Sequence, residues 1–163
     1  MSELEKVLKQ MSSTLPPKSK NKMPRKGLQN REAGLWQILK TGLTKTNRKI
    51  ECTRLETWAT PGVPDVVFCA ENGLFSFVEL KIVKKNKMEL SPHQCAWLSR
   101  HSHSNSWIVA RNSDLAINCY RGADAVDLRM DGANSVSPVQ TFKEPYDWEK
   151  FYALICPVDS VIK

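Results

Sequence analysis

No apolar run in this 163-residue chain approaches the roughly 20 residues that a membrane-spanning helix needs. Its lysine-containing N-terminus also lacks the apolar stretch of a secretory leader, so a soluble cytoplasmic protein with no membrane partner is expected. No Cys-x-x-Cys pair occurs. The five cysteines (Cys52, Cys69, Cys95, Cys119 and Cys156) are odd in number and widely spaced, which argues against a disulfide framework and a thiolate zinc site. Acidic residues are scarce in one region. Residues 1–50 hold three glutamates against 12 lysines and arginines, a net +9, whereas residues 51–163 hold 14 acidic and 12 basic residues, a net −2. The chain's +7 is therefore entirely N-terminal. Such an excess usually meets a polyanion, most often nucleic acid; a solubilising tail is the plainer alternative.

With 41% hydrophobic residues the chain has enough apolar material for one compact domain. Leu4, Val7, Leu8, Met11 and Leu15 recur at helical spacing and predict a short amphipathic helix over 1–15, suited to docking or dimerisation. Pro16 to Lys26 is basic and carries three prolines; it reads as a linker or a phosphate-grasping arm bearing Lys22, Arg25 and Lys26. A basic arm (1–26) thus precedes a single domain (27–163). A helix is expected from about Gln29 to Leu39, stopped near Gly42. Strands follow at 49–58, Asp65–Ala70 and Leu74–Val83, the last two joined by Glu71-Asn72-Gly73, a strong hairpin signal. Ser91-Pro92 predicts a helix N-terminus. Strands at Ser106–Arg111 and Leu115–Tyr120, a turn-rich 121–145 and a closing helix at Asp147–Ile155 complete an α/β or mixed α+β domain around one sheet.

Pro64-Asp65 and Phe77-Val78-Glu79-Leu80-Lys81 carry the chemistry. Strand alternation puts Glu79 and Lys81 on one face about 7 Å apart, with Phe75 and Phe77, while Val78 and Leu80 face an apolar underside. Through the hairpin, Asp65 can reach Glu79. Two carboxylates near one lysine suit Mg2+ or Mn2+, with the lysine orienting water or neutralising developing charge. The bland alternative is an exposed Glu/Lys pair on the wet face of a hairpin.

Gly62-Val63-Pro64-Asp65, the hairpin and Glu79-Leu80-Lys81, followed by Leu90-Ser91-Pro92-His93-Gln94-Cys95-Ala96-Trp97-Leu98, resemble the PD-(D/E)xK nuclease core in its VRR-NUC branch, related to the Holliday-junction resolvases. The likeness covers roughly residues 30–111. It implies a restriction-endonuclease-like core with a central mixed sheet flanked by helices. It further implies Asp65, Glu79 and the Leu80 carbonyl as metal ligands, and Lys81 as the group positioning the hydrolytic water. Gln94 would contact Lys81, the water or a phosphate. Glu32 would be the first-helix glutamate, with Glu51 or Glu56 as alternatives and an ordinary first-turn helix glutamate as its structural reading.

Lys84, Lys85 and Lys87 would clamp phosphates or form a solvated loop; Arg54 would touch DNA or make a surface ion pair. His93, His101 and His103 read as surface or C-cap histidines. Trp58, Trp97, Trp107 and Trp148 read as core, with base-stacking platforms as the alternative, above all for Trp58, which precedes the Pro-Asp loop. The expectation is a Mg2+-dependent endodeoxyribonuclease, Mn2+ substituting, that acts on branched DNA in repair or recombination. A homodimer and a phage source (and so the host cytoplasm) would suit it. The competing readings are a restriction-type or nonspecific nuclease with the same site, and a non-catalytic nucleic-acid-binding module. Residues 112–145 carry no functional signal.

Overall fold

Alternating burial along successive strands sets the architecture of the computed structural model, which describes residues 31–55 and 60–157. Six strands form one sheet in sequence order: β1 (Ile50–Arg54), β2 (Val66–Ala70), β3 (Phe75–Ile82), β4 (Ser106–Arg111), β5 (Ile117–Arg121) and β6 (Gln140–Phe142). Every neighbouring pair is antiparallel except β3 and β4, which run parallel. A parallel pair needs a crossover, and helix α2 (Pro92–Arg100) supplies it. The domain is therefore a mixed α+β fold, as expected. No helix among the described residues is long and apolar enough to cross a membrane.

Helices α1 (Glu32–Leu43) and α4 (Trp148–Ile155) cover one face of the sheet. Leu35, Leu39, Phe151 and Ile155 bury there against Phe68, Val78, Leu80, Trp107 and Val109. The other face meets α2 and, after a single 3₁₀ turn at Gly122–Asp124, helix α3 (Ala125–Met130). Leu98, Ala125 and Leu128 pack there with Ile108, Ala110 and Tyr120. All six residues of β4 are buried, because that strand has a helical layer on both sides.

Four sequence expectations need correction. Gly42 does not stop α1; it lies inside the helix, where a Cβ would fall 2.1–2.4 Å from the Trp148 indole, so its role is close packing of α1 on α4. The strand expected over 49–58 ends at Arg54 within the described residues, with 56–59, including Glu56 and Trp58, outside them. Leu115 is not in β5 but in the preceding turn, with φ 69°. The turn-rich 121–145 holds α3 and β6, both too short to show a period. The hairpin forms, but only Gly73 takes positive φ (79°): its N–H bonds Ala70 O and Leu74 O accepts from Ala70 N–H, a three-residue loop. Residues 1–30, with the helix expected at 1–15 and the arm's Lys22, Arg25 and Lys26, lie outside the described residues.

Candidate metal centre

The loop before β2 and the middle of β3 meet as the hairpin register demands. Val66 pairs with Val78, the last rung of that ladder, so Asp65 next to it falls beside Glu79. Pro64, just before Asp65, has no N–H with which to extend the ladder past that rung. The Leu80 N–H turns instead to Asp65 Oδ2 at 3.0 Å. Backbone N–H and C=O of one strand residue point the same way, so the Leu80 carbonyl is directed toward the side where Asp65 sits. Gly62, with φ 90°, fastens this loop to α2: a Cβ there would meet the His93 carbonyl oxygen at 2.2 Å. The Gly-x-Pro-Asp pattern contained that signal, although its role as a fastening to α2 needed the fold.

Glu79 and Lys81 are not on a wet face. Both are buried, because α2 lies across that side of β3. Glu79 Oε1 receives Lys81 Nζ at 2.8 Å and Gln94 Nε2 at 2.5 Å, while Oε2 is buried and meets no donor among the described residues; the Asp65 carboxyl is close enough to act on Glu79 directly. Burial, aided by the neighbouring Asp65 charge, pushes the Glu79 carboxyl up to about 8 against the pull of Lys81. Burial alone would lower the Lys81 ammonium, but the carboxylates of Glu79, Glu32 and Asp65 outweigh it and raise the group above its ordinary value.

Gln94 is oriented by the Ser-Pro-x-Gln sequence itself. Its backbone N–H bonds Ser91 Oγ (3.1 Å) and its Oε1 accepts from Ser91 N–H (2.8 Å), a complete capping box. With the oxygen so occupied, only the amide NH2 is left to face the site. Its partner is Glu79 rather than Lys81. Glu32, first residue of α1, lies 3.3 Å from Lys81 Nζ. Glu51 is a poor alternative, since it pairs with Cys69, four residues or about 13 Å along β2 from Asp65.

Lys84 and Lys87 close a tight turn by mutual backbone hydrogen bonds and line a cavity of about 230 Å³ together with Arg31, Glu32, Lys81 and Glu89. Lys85, at its tip with φ 59°, does not line that cavity. Arg31 and Glu89 had no distinguishing sequence pattern. Asn86 bolts the turn down: its carbonyl accepts from Ala133 N–H (2.8 Å), its Oδ1 from Asn134 N–H (2.7 Å), and its Nδ2 donates to Asp131 O (3.2 Å). Part of the silent 112–145 stretch is thus a buttress for the lysines. Arg54 is exposed at the end of β1 but pairs with Val66, which pairs with Val78, so it shares the face opposite Glu79 and Lys81 and is not brought to the site as expected. His101 is the C-cap of α2, Trp107 is core, and all five cysteines are free thiols.

Among the described residues no group of three or more His, Cys, Asp or Glu side chains forms a metal cage. Mg2+ does not require one: it keeps several waters and takes one or two carboxylates plus other hard oxygens. Asp65, the orphaned Glu79 Oε2 and the Leu80 carbonyl are such a set, and the pairing of Glu79 Oε1 with Lys81 leaves the second oxygen to a ligand. Comparison of the chain with protein-family models and with curated proteins gave no match.

Proposed function

We propose that this protein is a Mg2+-dependent nuclease of the PD-(D/E)xK type, VRR-NUC branch, that hydrolyses phosphodiester bonds in DNA, with four-way junctions or flaps as substrates. Glu79 carries the reading. Glu79 is fully buried, with one oxygen braced by two donors and the other meeting no donor among the described residues, beside a second carboxylate, Asp65; two such groups repel when both are ionised, which makes them a costly structural pair. Glu79 is favourable as half of a cation site.

A divalent cation there would neutralise phosphate charge and acidify a water, Mn2+ substituting for Mg2+. The remaining work falls to the chain. Asp65, Glu79 and the Leu80 carbonyl would hold the cation. Lys81, fixed between Glu79 and Glu32, presents its ammonium to the attacking water and the scissile phosphate. Gln94 locks the Glu79 rotamer. Arg31, Lys84 and Lys87 hold the neighbouring phosphates. The basic segment with Lys22, Arg25 and Lys26 adds salt-sensitive backbone affinity, and two copies acting together would cut both strands.

The test is cleavage of junction, flap and linear DNA in Mg2+ by wild type, Asp65→Ala and Lys81→Ala. Junction or flap cleavage lost in both variants is expected. Equal cutting of linear duplex would make the enzyme a nonspecific or restriction-type nuclease. Binding without cutting would make it a non-catalytic module, and normal cutting by Lys81→Ala would overturn the mechanism.

A further inference from the structure

The face that carries Glu79 and Lys81 continues along β3 to Phe77 and Phe75 by strand alternation. Helix α2 follows it residue by residue. Gln94 sits on Glu79; one turn later Trp97 packs on Phe77, ring centroids 5.4 Å apart. A further turn brings His101 flat against Trp97, 3.9 Å between centroids and 22° between planes, with Nδ1 held 2.7 Å from the Trp97 carbonyl oxygen. Phe75 is 55% exposed, and His101 is exposed as well. On β2, Val67 and Cys69 pair with Phe77 and Phe75 and are only half-buried; on β1, Thr53 and Glu51 beyond them are exposed. Among the described residues this part of the sheet face is open, and it runs straight into the carboxylate site.

We propose that Phe75, Phe77, Trp97 and His101 form a stacking track for unpaired nucleobases, so that the preferred DNA has a single-stranded or splayed segment beside the scissile phosphate. The inference rests on the nuclease reading and names the substrate feature it would select. Packing accounts for Phe77 against Trp97. It does not account for a half-exposed Phe75, or for an exposed imidazole laid parallel to an indole beside the site. Base stacking on aromatic faces is tolerant of sequence because every base has a π face. The spacing favours a particular strand form. Side chains two residues apart on β3 are about 6.7 Å apart, roughly twice the 3.4 Å rise per nucleotide in a duplex strand. Rungs at that interval fit an extended, unstacked strand and not a paired one, whose bases are already stacked on each other. Continuity with Asp65 and Glu79 favours a nucleic-acid strand over a protein segment, since the strand's phosphate must reach those carboxylates.

The test uses the full chain in EDTA, where cleavage is off, and fluorescence anisotropy with labelled oligo(dT), a forked duplex and a blunt duplex. Phe75→Ala and His101→Ala should each weaken oligo(dT) and fork binding by roughly 5- to 100-fold and leave blunt-duplex binding unchanged. Val126→Ala, which trims a comparably exposed apolar side chain on α3, should change none of the three. Unchanged oligo(dT) affinity in both variants, or an equal loss on single strand and blunt duplex, would overturn the track. Cleavage in Mg2+ separates the two readings. A wild type that cuts DNA while Phe75→Ala and His101→Ala bind normally keeps the nuclease and removes the track. A wild type that binds oligo(dT) through Phe75 and cuts nothing keeps the track and removes the nuclease.

Discussion

A divalent cation should bind this protein more tightly as the pH rises from 6 to 8, and the size of the effect follows from Glu79. Its carboxyl is held at about 8 against an ordinary value of 4.5. The fold therefore prefers the protonated form. The stability this contributes is fully present below 4.5 and is lost as the pH rises through 8, amounting to about 5 kcal/mol by pH 9. Lys81, raised above its ordinary value, stays charged throughout this window and adds no slope of its own. A cation reverses the trend, because it requires the ionised carboxylate and releases its proton. About 1% of the group is ionised at pH 6 and about half at pH 8, so apparent affinity should rise about 50-fold. At a fixed, saturating Mn2+ concentration this is about 2 kcal/mol more stabilisation, a Tm increment roughly 4–8 °C larger at pH 8 than at pH 6. Thermal unfolding with and without Mn2+ at three pH values reads it directly, and calorimetry in buffers of different ionisation enthalpy counts the released proton. A Mn2+ increment independent of pH, or one that survives unchanged in Glu79→Gln, would refute the assignment of Glu79 as a ligand.

Gln94→Ala should lower cleavage about 10- to 100-fold and stability by about 1 kcal/mol, since it removes both a Glu79 donor and the capping box; Gln94→Glu should keep the cap and still lose activity, as steady-state cleavage and urea unfolding would show together. Gly42→Ala, stabilising in an ordinary helix, should here lower stability by about 1–3 kcal/mol, because its methyl enters the Trp148 ring; denaturant midpoints test this. Asn86→Ala should reduce DNA affinity and flatten its salt dependence by loosening the Lys84–Lys87 turn, with catalysis at saturating DNA little changed; binding titrations at several salt concentrations decide it.

The parts of this molecule legible in its sequence are those whose chemistry is local. The Asn72-Gly73 turn, Ser91-Pro92 with Gln94, and the alternation of Val78 and Leu80 with Glu79 and Lys81 each involve residues a few positions apart. Strand parity correctly separated the two faces of β3. It gave no account of what lies over either face, and so an exposed Glu/Lys pair remained a fair reading. That was decided by the parallel pairing of β3 with β4, which obliges the intervening chain to cross the sheet, and α2 crosses over Glu79. Gly42 misled for the same reason: a glycine near a helix end reads as a stop, and the Trp148 ring that requires it arrives about 100 residues later.

Pro64 joins the two scales. Its missing N–H is a property of one residue, readable without any fold. Pro64 lies just past the last rung of the hairpin, Val66 opposite Val78, and offers β3 no further donor there; the Leu80 N–H bonds the Asp65 carboxylate. A serine or alanine there could extend the ladder past that rung. The proline therefore ends the antiparallel pairing beside the Asp65 and Glu79 carboxylates, and so leaves the Asp65 side chain to the middle of β3 instead of to the ladder.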